Sequence, residues 1–226
     1  MTTTTTEIVI PVDDGRQMIA ANLVVPDQTA AAVMFAHGSG SSRHSPRNQI
    51  VAEHLQQHGF ATVLLDLLTA EEEAVDVRTA QWRFDIALLA SRLRDACDWA
   101  DANRPLTGLP LGLFGASTGA AAALIVAAQR PERIAAVVSR GGRPDLAEPV
   151  LSQVRAPTLL IVGGTDDIVI GLNEQASQHL SNGEMVVVPG ASHLFTEPGA
   201  LSTVTELARD WFARHLGGMN PLPAGM

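Results

Sequence analysis

The amino-acid sequence predicts an α/β fold in which a mostly parallel sheet of eight strands carries helices on both faces. Three observations predict it. From Ala31 onward, short apolar runs alternate with segments of helical composition, the pattern of strands buried on both faces by crossover helices. Before Ala31, two runs flank Asp13-Asp14-Gly15, which has hairpin turn chemistry, so the sheet should begin with an antiparallel pair. The 226 residues contain no internal linker rich in Pro, Gly or Ser, and this length supports one domain with a substantial core. A single domain over 1–226 is expected, with disordered tails at 1–6 and 217–226, where a threonine run and GGMNPLPAGM stand.

Taken in order, the first strands are Glu7 to Val12 and Gln17 to Val25, and the third is Ala31 to Ala36. A helix from Arg47 to His58 follows, with Ser45 as its N-cap and Pro46 at its first position. After the strand Ala61 to Asp66, a long helix is expected over Arg78 to Asn103. There Trp82, Ile86, Leu89, Leu93 and Cys97 recur at spacings of three to four and make one core stripe, and the charges between them read as a solvated face. Leu109 to Phe114 is the fifth strand and leads into a helix from Thr118 to Gln129. The remaining strands are Ile134 to Val138, Thr158 to Val162 and Glu184 to Val188, and the remaining helices are Asp145 to Val154, Gly171 to Leu180 and Leu201 to Leu216.

Composition narrows the chemistry. All 15 basic residues are arginine, so no lysine exists to serve a phosphate-binding loop, a Schiff base or a Ser-Lys dyad. A net charge of −9 argues against nucleic acid and against an anionic membrane surface as partners. The single cysteine, Cys97, permits no internal disulfide and lies on the core stripe, where a small buried residue is expected rather than a nucleophile. The opening MTTTTTE has neither the basic nor the apolar segment of a signal peptide, and no apolar run reaches membrane-spanning length, so a cytoplasmic location is expected.

The reactive groups are sought in the loops beyond the carboxyl ends of the strands, where open α/β sheets place their sites. After the fifth strand stands Gly115-Ala116-Ser117-Thr118-Gly119. Small residues flank the serine as a tight strand-to-helix turn requires, and the amide of Thr118 falls at a helix N-terminus suited to a developing oxyanion. After the third strand stands His37-Gly38-Ser39-Gly40, whose Ser39 amide is the expected second donor. His37 is either a base or a loop-pinning structural residue, and its place at the end of a buried strand favours the second. Gly163-Gly164-Thr165-Asp166-Asp167 follows the seventh strand, and Gly190-Ala191-Ser192-His193-Leu194-Phe195 follows the eighth. The order is therefore Ser117, Asp166, His193, with Asp167 as the alternative acid.

With HGSG, GASTG, GGTDDIV and GASHLF in that order, nearly the whole chain resembles the α/β-hydrolases, and among them the compact dienelactone-hydrolase-like branch. The resemblance implies the α/β-hydrolase fold without a large cap, since only a short segment separates the sixth strand from the seventh. It also implies a serine hydrolase acting on carboxylic esters, thioesters or lactones, with Ser117 as nucleophile, His193 as base, Asp166 as its orienter, and no metal or organic cofactor. Familiar dienelactone hydrolases use a cysteine nucleophile, so Ser117 shifts the expectation from lactones toward ordinary esters. The same triad would serve an acyltransferase or perhydrolase, and the same fold a ligand-binding protein without turnover.

Four arginines lie near the expected site: Arg43 and Arg47 after the third strand, and Arg140 and Arg143 after the sixth. Either they form an anion subsite for a charged small-molecule acyl substrate, or they pair with Asp66, Glu71 to Glu73 or Asp145 and fix loops. His54 and His58, four apart on a helix, are read as a surface pair rather than a metal clasp, because no third ligand is evident.

Overall fold

In the computed structural model, residues 4–217 are described. Residues 1–3 and 218–226, most of the expected tails, lie outside them, and Thr6, expected in the first tail, opens a strand. Strands β1 (Thr6–Val12), β2 (Gln17–Val24), β3 (Ala31–Ala36), β4 (Phe60–Leu65), β5 (Leu111–Ala116), β6 (Ile134–Arg140), β7 (Thr158–Gly163) and β8 (Gly183–Val188) form one sheet in the order β1-β2-β4-β3-β5-β6-β7-β8. The pairs β1–β2 and β2–β4 are antiparallel and all others parallel. The α/β-hydrolase fold with a mostly parallel eight-stranded sheet is therefore as the sequence predicts, and no large cap interrupts it.

The period of two along each strand sorts side chains into two cores. Met34, Leu113 and Leu160 face one layer, and Val33, Phe35, Phe114 and Ile161 face the other. The first layer is covered by α3 (Ile86–Ala102) and the alanine-rich α4 (Thr118–Gln129), the second by α1 (Pro46–Gln57) and α6 (Ala200–Leu216). Gly112 shows how tight the second contact is, because a Cβ there would lie 2.6 Å from Cε1 of Phe212.

The expected helix Arg78 to Asn103 is shortened to α3, and a helix that was not expected precedes it, closing where the expected one was to begin. α2 (Ala70–Thr79) starts at Thr69, whose side chain and that of Glu72 exchange hydrogen bonds with each other's backbone in a capping box. It stops at Ala80, which adopts φ 53°, and α3 starts afresh with Asp85 as N-cap. The cause of the break is Asp76. This buried carboxylate accepts the amides of Trp82 (2.6 Å) and Arg83 (3.1 Å) and the Arg83 Nε (2.6 Å), so the chain wraps around it rather than continuing straight. Trp82 thus packs on the core from the connecting turn rather than from a helix. Nor are all the charges of α3 solvated: Arg92 is 1% exposed and bonds Glu72 at 2.8 and 2.9 Å and Asp13 at 3.0 Å.

The expected helix Asp145 to Val154 is a 3₁₀ segment, Pro144–Gln153, in which Pro149 has no amide to donate to an α-helical bond. α5 (Asp167–Ser177) begins four residues before the expected Gly171, directly after Asp166. Among the described residues, no helix is long and apolar enough to cross a membrane.

Candidate active site

Ser117 sits between β5 and α4 with φ 50° and ψ −119°, a conformation that costs a non-glycine residue about 1–3 kcal/mol and so needs surroundings that enforce it. Three backbone bonds do so: the Ser117 amide donates to the Arg140 carbonyl (3.2 Å), and the Ser117 carbonyl accepts from the amides of Ala120 and Arg143 (3.1 Å each). The flanking glycines leave no room for alternatives. A Cβ on Gly115 would stand 2.4 Å from Cα of Ala120, and one on Gly119 would stand 2.2 Å from the Ala36 carbonyl oxygen. The elbow is thereby wedged against the end of β3.

That end carries the glycine loop. A Cβ on Gly38 would come within 3.0 Å of Cβ of Ser117, so the loop backbone runs against the serine, and Ser39 lines the same cavity as Ser117. Thr118 is buried as the first residue of α4. His37 is placed as the structural reading expects. Its Nε2 accepts the Leu67 amide at 3.1 Å, which leaves the proton on Nδ1 to donate to the Gly38 carbonyl at 2.9 Å. Burial holds its pKa below the ordinary histidine value, so the ring stays neutral and ties the loop to the segment after β4.

Asp166 and His193 arrive from the β7 and β8 loops and meet at 2.7 Å, Oδ2 to Nδ1, with the His193 side chain 39% exposed. The two loops are stitched together: Gly164 N to Val188 O (2.8 Å), Thr165 N to Ala191 O (3.0 Å) and Thr165 Oγ1 to the same carbonyl (3.0 Å). Gly141, at φ 52°, lies beneath the imidazole, where a Cβ would be 3.4 Å from Nδ1. Asp167 is exposed at the start of α5, so the geometry singles out Asp166. A contribution invisible in the sequence comes from Glu197. Its carboxylate accepts the Ser192 amide at 3.0 Å, which holds its pKa below the usual range and fixes the residue before His193.

The four arginines divide into two kinds. Arg43 is clamped by Asp66, through its amide (2.7 Å) and its guanidinium, and Arg143 makes a fork with Asp145 at 2.8 and 2.7 Å. Those two guanidinium groups are already paired with carboxylates. Arg47 and Arg140 line the cavity with Ser117 and His193, and among the described residues no carboxylate pairs with either. Nε of both, and Nη1 of Arg140, are buried without a hydrogen-bond partner. Burial, and then the like charge of Arg47, push the Arg140 guanidinium down to about 10. The cavity measures about 240 Å³ and is also walled by Ser45 and Asn48 at the start of α1 and by Leu194.

Cys97 lies away from all this, buried with Sγ 3.7 Å from Sδ of Met34, and burial pushes its thiol up to about 12. It cannot supply a thiolate nucleophile. His54 pairs with Glu206 at 3.3 Å and stacks on His58. Among the described residues, no three His, Cys, Asp or Glu side chains are grouped to hold a metal.

Residues 31–150 match the family model for the alpha/beta hydrolase fold. The crystal structure of a dienelactone hydrolase from Anabaena variabilis is 54% identical, superposes with a TM-score of 0.93 and covers 96% of this chain and 100% of its own. Est1E from Butyrivibrio proteoclasticus shares 16% identity but superposes at a TM-score of 0.77 over 92% of this chain and 98% of its own, a likeness of fold. Curated relatives from two strains of Mycobacterium tuberculosis, provisionally named phosphoribosyl transferase, are 54% identical over 208 residues, which is 92% of this chain and 46% of theirs. The chain thus spans about half the length of the curated relatives it matches.

Proposed function

Since the chain belongs to the α/β-hydrolase family, in its dienelactone-hydrolase-like branch, we propose that it is a serine esterase working through an acyl-enzyme. The observation that carries this reading is the strained Ser117 in one cavity with a His193 whose Nδ1 is held by Asp166. Asp166 accepts the proton-bearing Nδ1, so Nε2 is the basic nitrogen. Ser117 Oγ attacks the acyl carbonyl carbon as its proton passes to His193 Nε2. The amides of Ser39 and Thr118 are the proposed donors to the oxyanion, the second of them at a helix N-terminus. The C–O bond to the alcohol then breaks, and the alcohol leaves with the proton from Nε2. Water adds to the acyl-enzyme with His193 again as base, and the acid departs as Ser117 recovers its proton.

Exposure of the imidazole and the lack of a large cap leave the acyl-enzyme open to water, which favours hydrolysis over transfer to another acceptor. The phosphoribosyl transfer named for the Mycobacterium relatives is assigned, on this reading, to the part of them that this chain does not cover. The decisive experiment is labelling with a fluorophosphonate and peptide mapping by mass spectrometry. The adduct should sit on Ser117, and Ser117→Ala should lose both label and turnover of small neutral esters. A label elsewhere, or an active alanine variant, would overturn the assignment.

A further inference from the structure

A buried guanidinium is ordinarily accompanied by a carboxylate, because desolvating the ion is costly unless something pairs with it. Arg140 is 7% exposed and has no such partner, and Arg47 shares both its cavity and its deficit. A second cation, Arg47, lining the same cavity as the buried Arg140 with no carboxylate beside either is an expensive arrangement for the folded protein alone.

The backbone adds to the same field. Ser45 caps α1, a helix of 12 residues with Arg47 and Asn48 in its first turn, so its positive dipole end lies on the cavity wall, and α4 begins directly after Ser117 of the same lining. Asn48, 2% exposed on the same wall, keeps a buried Oδ1 without a partner, an acceptor for a ligand hydroxyl beside the anion. We infer that Arg47 and Arg140, with the N-terminus of α1, form a substrate subsite for a doubly charged phosphate group on the ester that Ser117 attacks. One carboxylate would leave one guanidinium uncompensated. A phosphate dianion neutralises both, and its terminal oxygens suit the planar donor forks that the two guanidinium groups bring to the cavity wall.

The word ester rests on the proposed function, whereas the anion subsite does not, and the test separates them. Binding of inorganic phosphate, above its second ionisation, is measured by calorimetry on Ser117→Ala, and competition by phosphate is measured against a neutral ester on the parent protein. Phosphate and sulfate should bind and should inhibit competitively, while acetate should bind at least about tenfold more weakly. Arg47→Gln and Arg140→Gln should each weaken phosphate by on the order of tenfold to a hundredfold, the loss expected for a charge-assisted pair. Arg143→Gln and Arg43→Gln serve as controls and should retain phosphate binding, since their guanidinium groups are committed to Asp145 and Asp66. Because Arg140 is buried, melting curves accompany each variant, and Arg47→Gln alone suffices if Arg140→Gln does not fold. The inference is overturned if phosphate does not bind, if its inhibition is not competitive, if acetate equals phosphate, or if the Arg47 variant binds as well as the parent. Ester turnover persisting in Ser117→Ala would instead remove the esterase reading and leave the phosphate subsite standing.

Discussion

Arg92 and Arg140 are both almost wholly buried, at 1% and 7% exposure, and they are treated oppositely by their surroundings. Arg92 is enclosed by Glu72 and Asp13. Burial alone would lower its pKa, but the hydrogen bonds and charge of Glu72, joined by Asp13, hold it above the ordinary arginine value. Arg140 has a neighbouring cation in place of a counterion and is held below that value. The first charge joins elements of the scaffold, namely α2, α3 and the β1–β2 turn. The second lines the cavity with Ser117 and His193, and in the proposed subsite a ligand supplies its compensation. A buried charge therefore reports function when its partner is missing, and structure when its partner is present.

The largest expected effect belongs to the Asp166–His193 pair of the proposed triad. Asp166→Asn should cut ester turnover by on the order of 10⁴ while keeping the urea midpoint near that of the parent protein, because it leaves the imidazole with the wrong tautomer partner. If Asp167→Asn were the crippled variant, the loop register would be one residue off. Next, Arg92→Met strands Glu72 and Asp13 and should cost about 3–5 kcal/mol in urea denaturation, with turnover per folded molecule unchanged. Arg140→Met should be neutral to stabilising, by up to about 2 kcal/mol, since it removes an uncompensated ion. Equal destabilisation by the two methionine variants would break the comparison.

The smallest effect is a slope. His37 is neutral in the fold and its folded pKa is depressed by burial, whereas in the unfolded chain it takes up a proton below about pH 6.5. The unfolded state then binds more protons, so stability is complete above that pH and declines as pH falls through it toward the folded value. His54 and His215, also depressed by burial, contribute in the same direction. His37→Gln should lower stability overall yet flatten the curve below pH 6.5 in denaturation series. An unaltered slope would mean that His37 is not the buried neutral ring described here.

Much of this was legible in the sequence because it is local. The glycines around Ser117, the placement of Asp166 and His193 at successive strand ends, and Ser45 with Pro46 each follow from a few neighbouring residues. The break between α2 and α3 was not, although Thr69 and Glu72 are a capping box. The only buried residue of α2 is an aspartate, so that helix has no apolar stripe for a periodicity argument to find. The division among the four arginines was equally out of reach. Asp145, two residues from Arg143, was a local candidate, but which guanidinium Asp66 would take depends on how β4 brings it across, and Glu197 turning back to Ser192 is a fact of the loop alone.

The stitching between the β7 and β8 loops has a mechanical consequence. Besides the Asp166–His193 bond, three hydrogen bonds cross between them, and a Cβ on Gly163 would lie 2.5 Å from the Ser192 carbonyl oxygen, so the acid and the imidazole are carried on one bonded and close-packed unit. Ser117 rides on another, formed by β5, α4 and the glycine loop wedged against them. The Asp166–His193 spacing is fixed within the first unit, whereas among the described residues no backbone hydrogen bond joins the His193 loop to the Ser117 turn across the gap from imidazole to hydroxyl, the seam between the two. A ligand whose phosphate is held by Arg47 and Arg140 while its carbonyl lies over Ser117 would present that carbonyl at this gap.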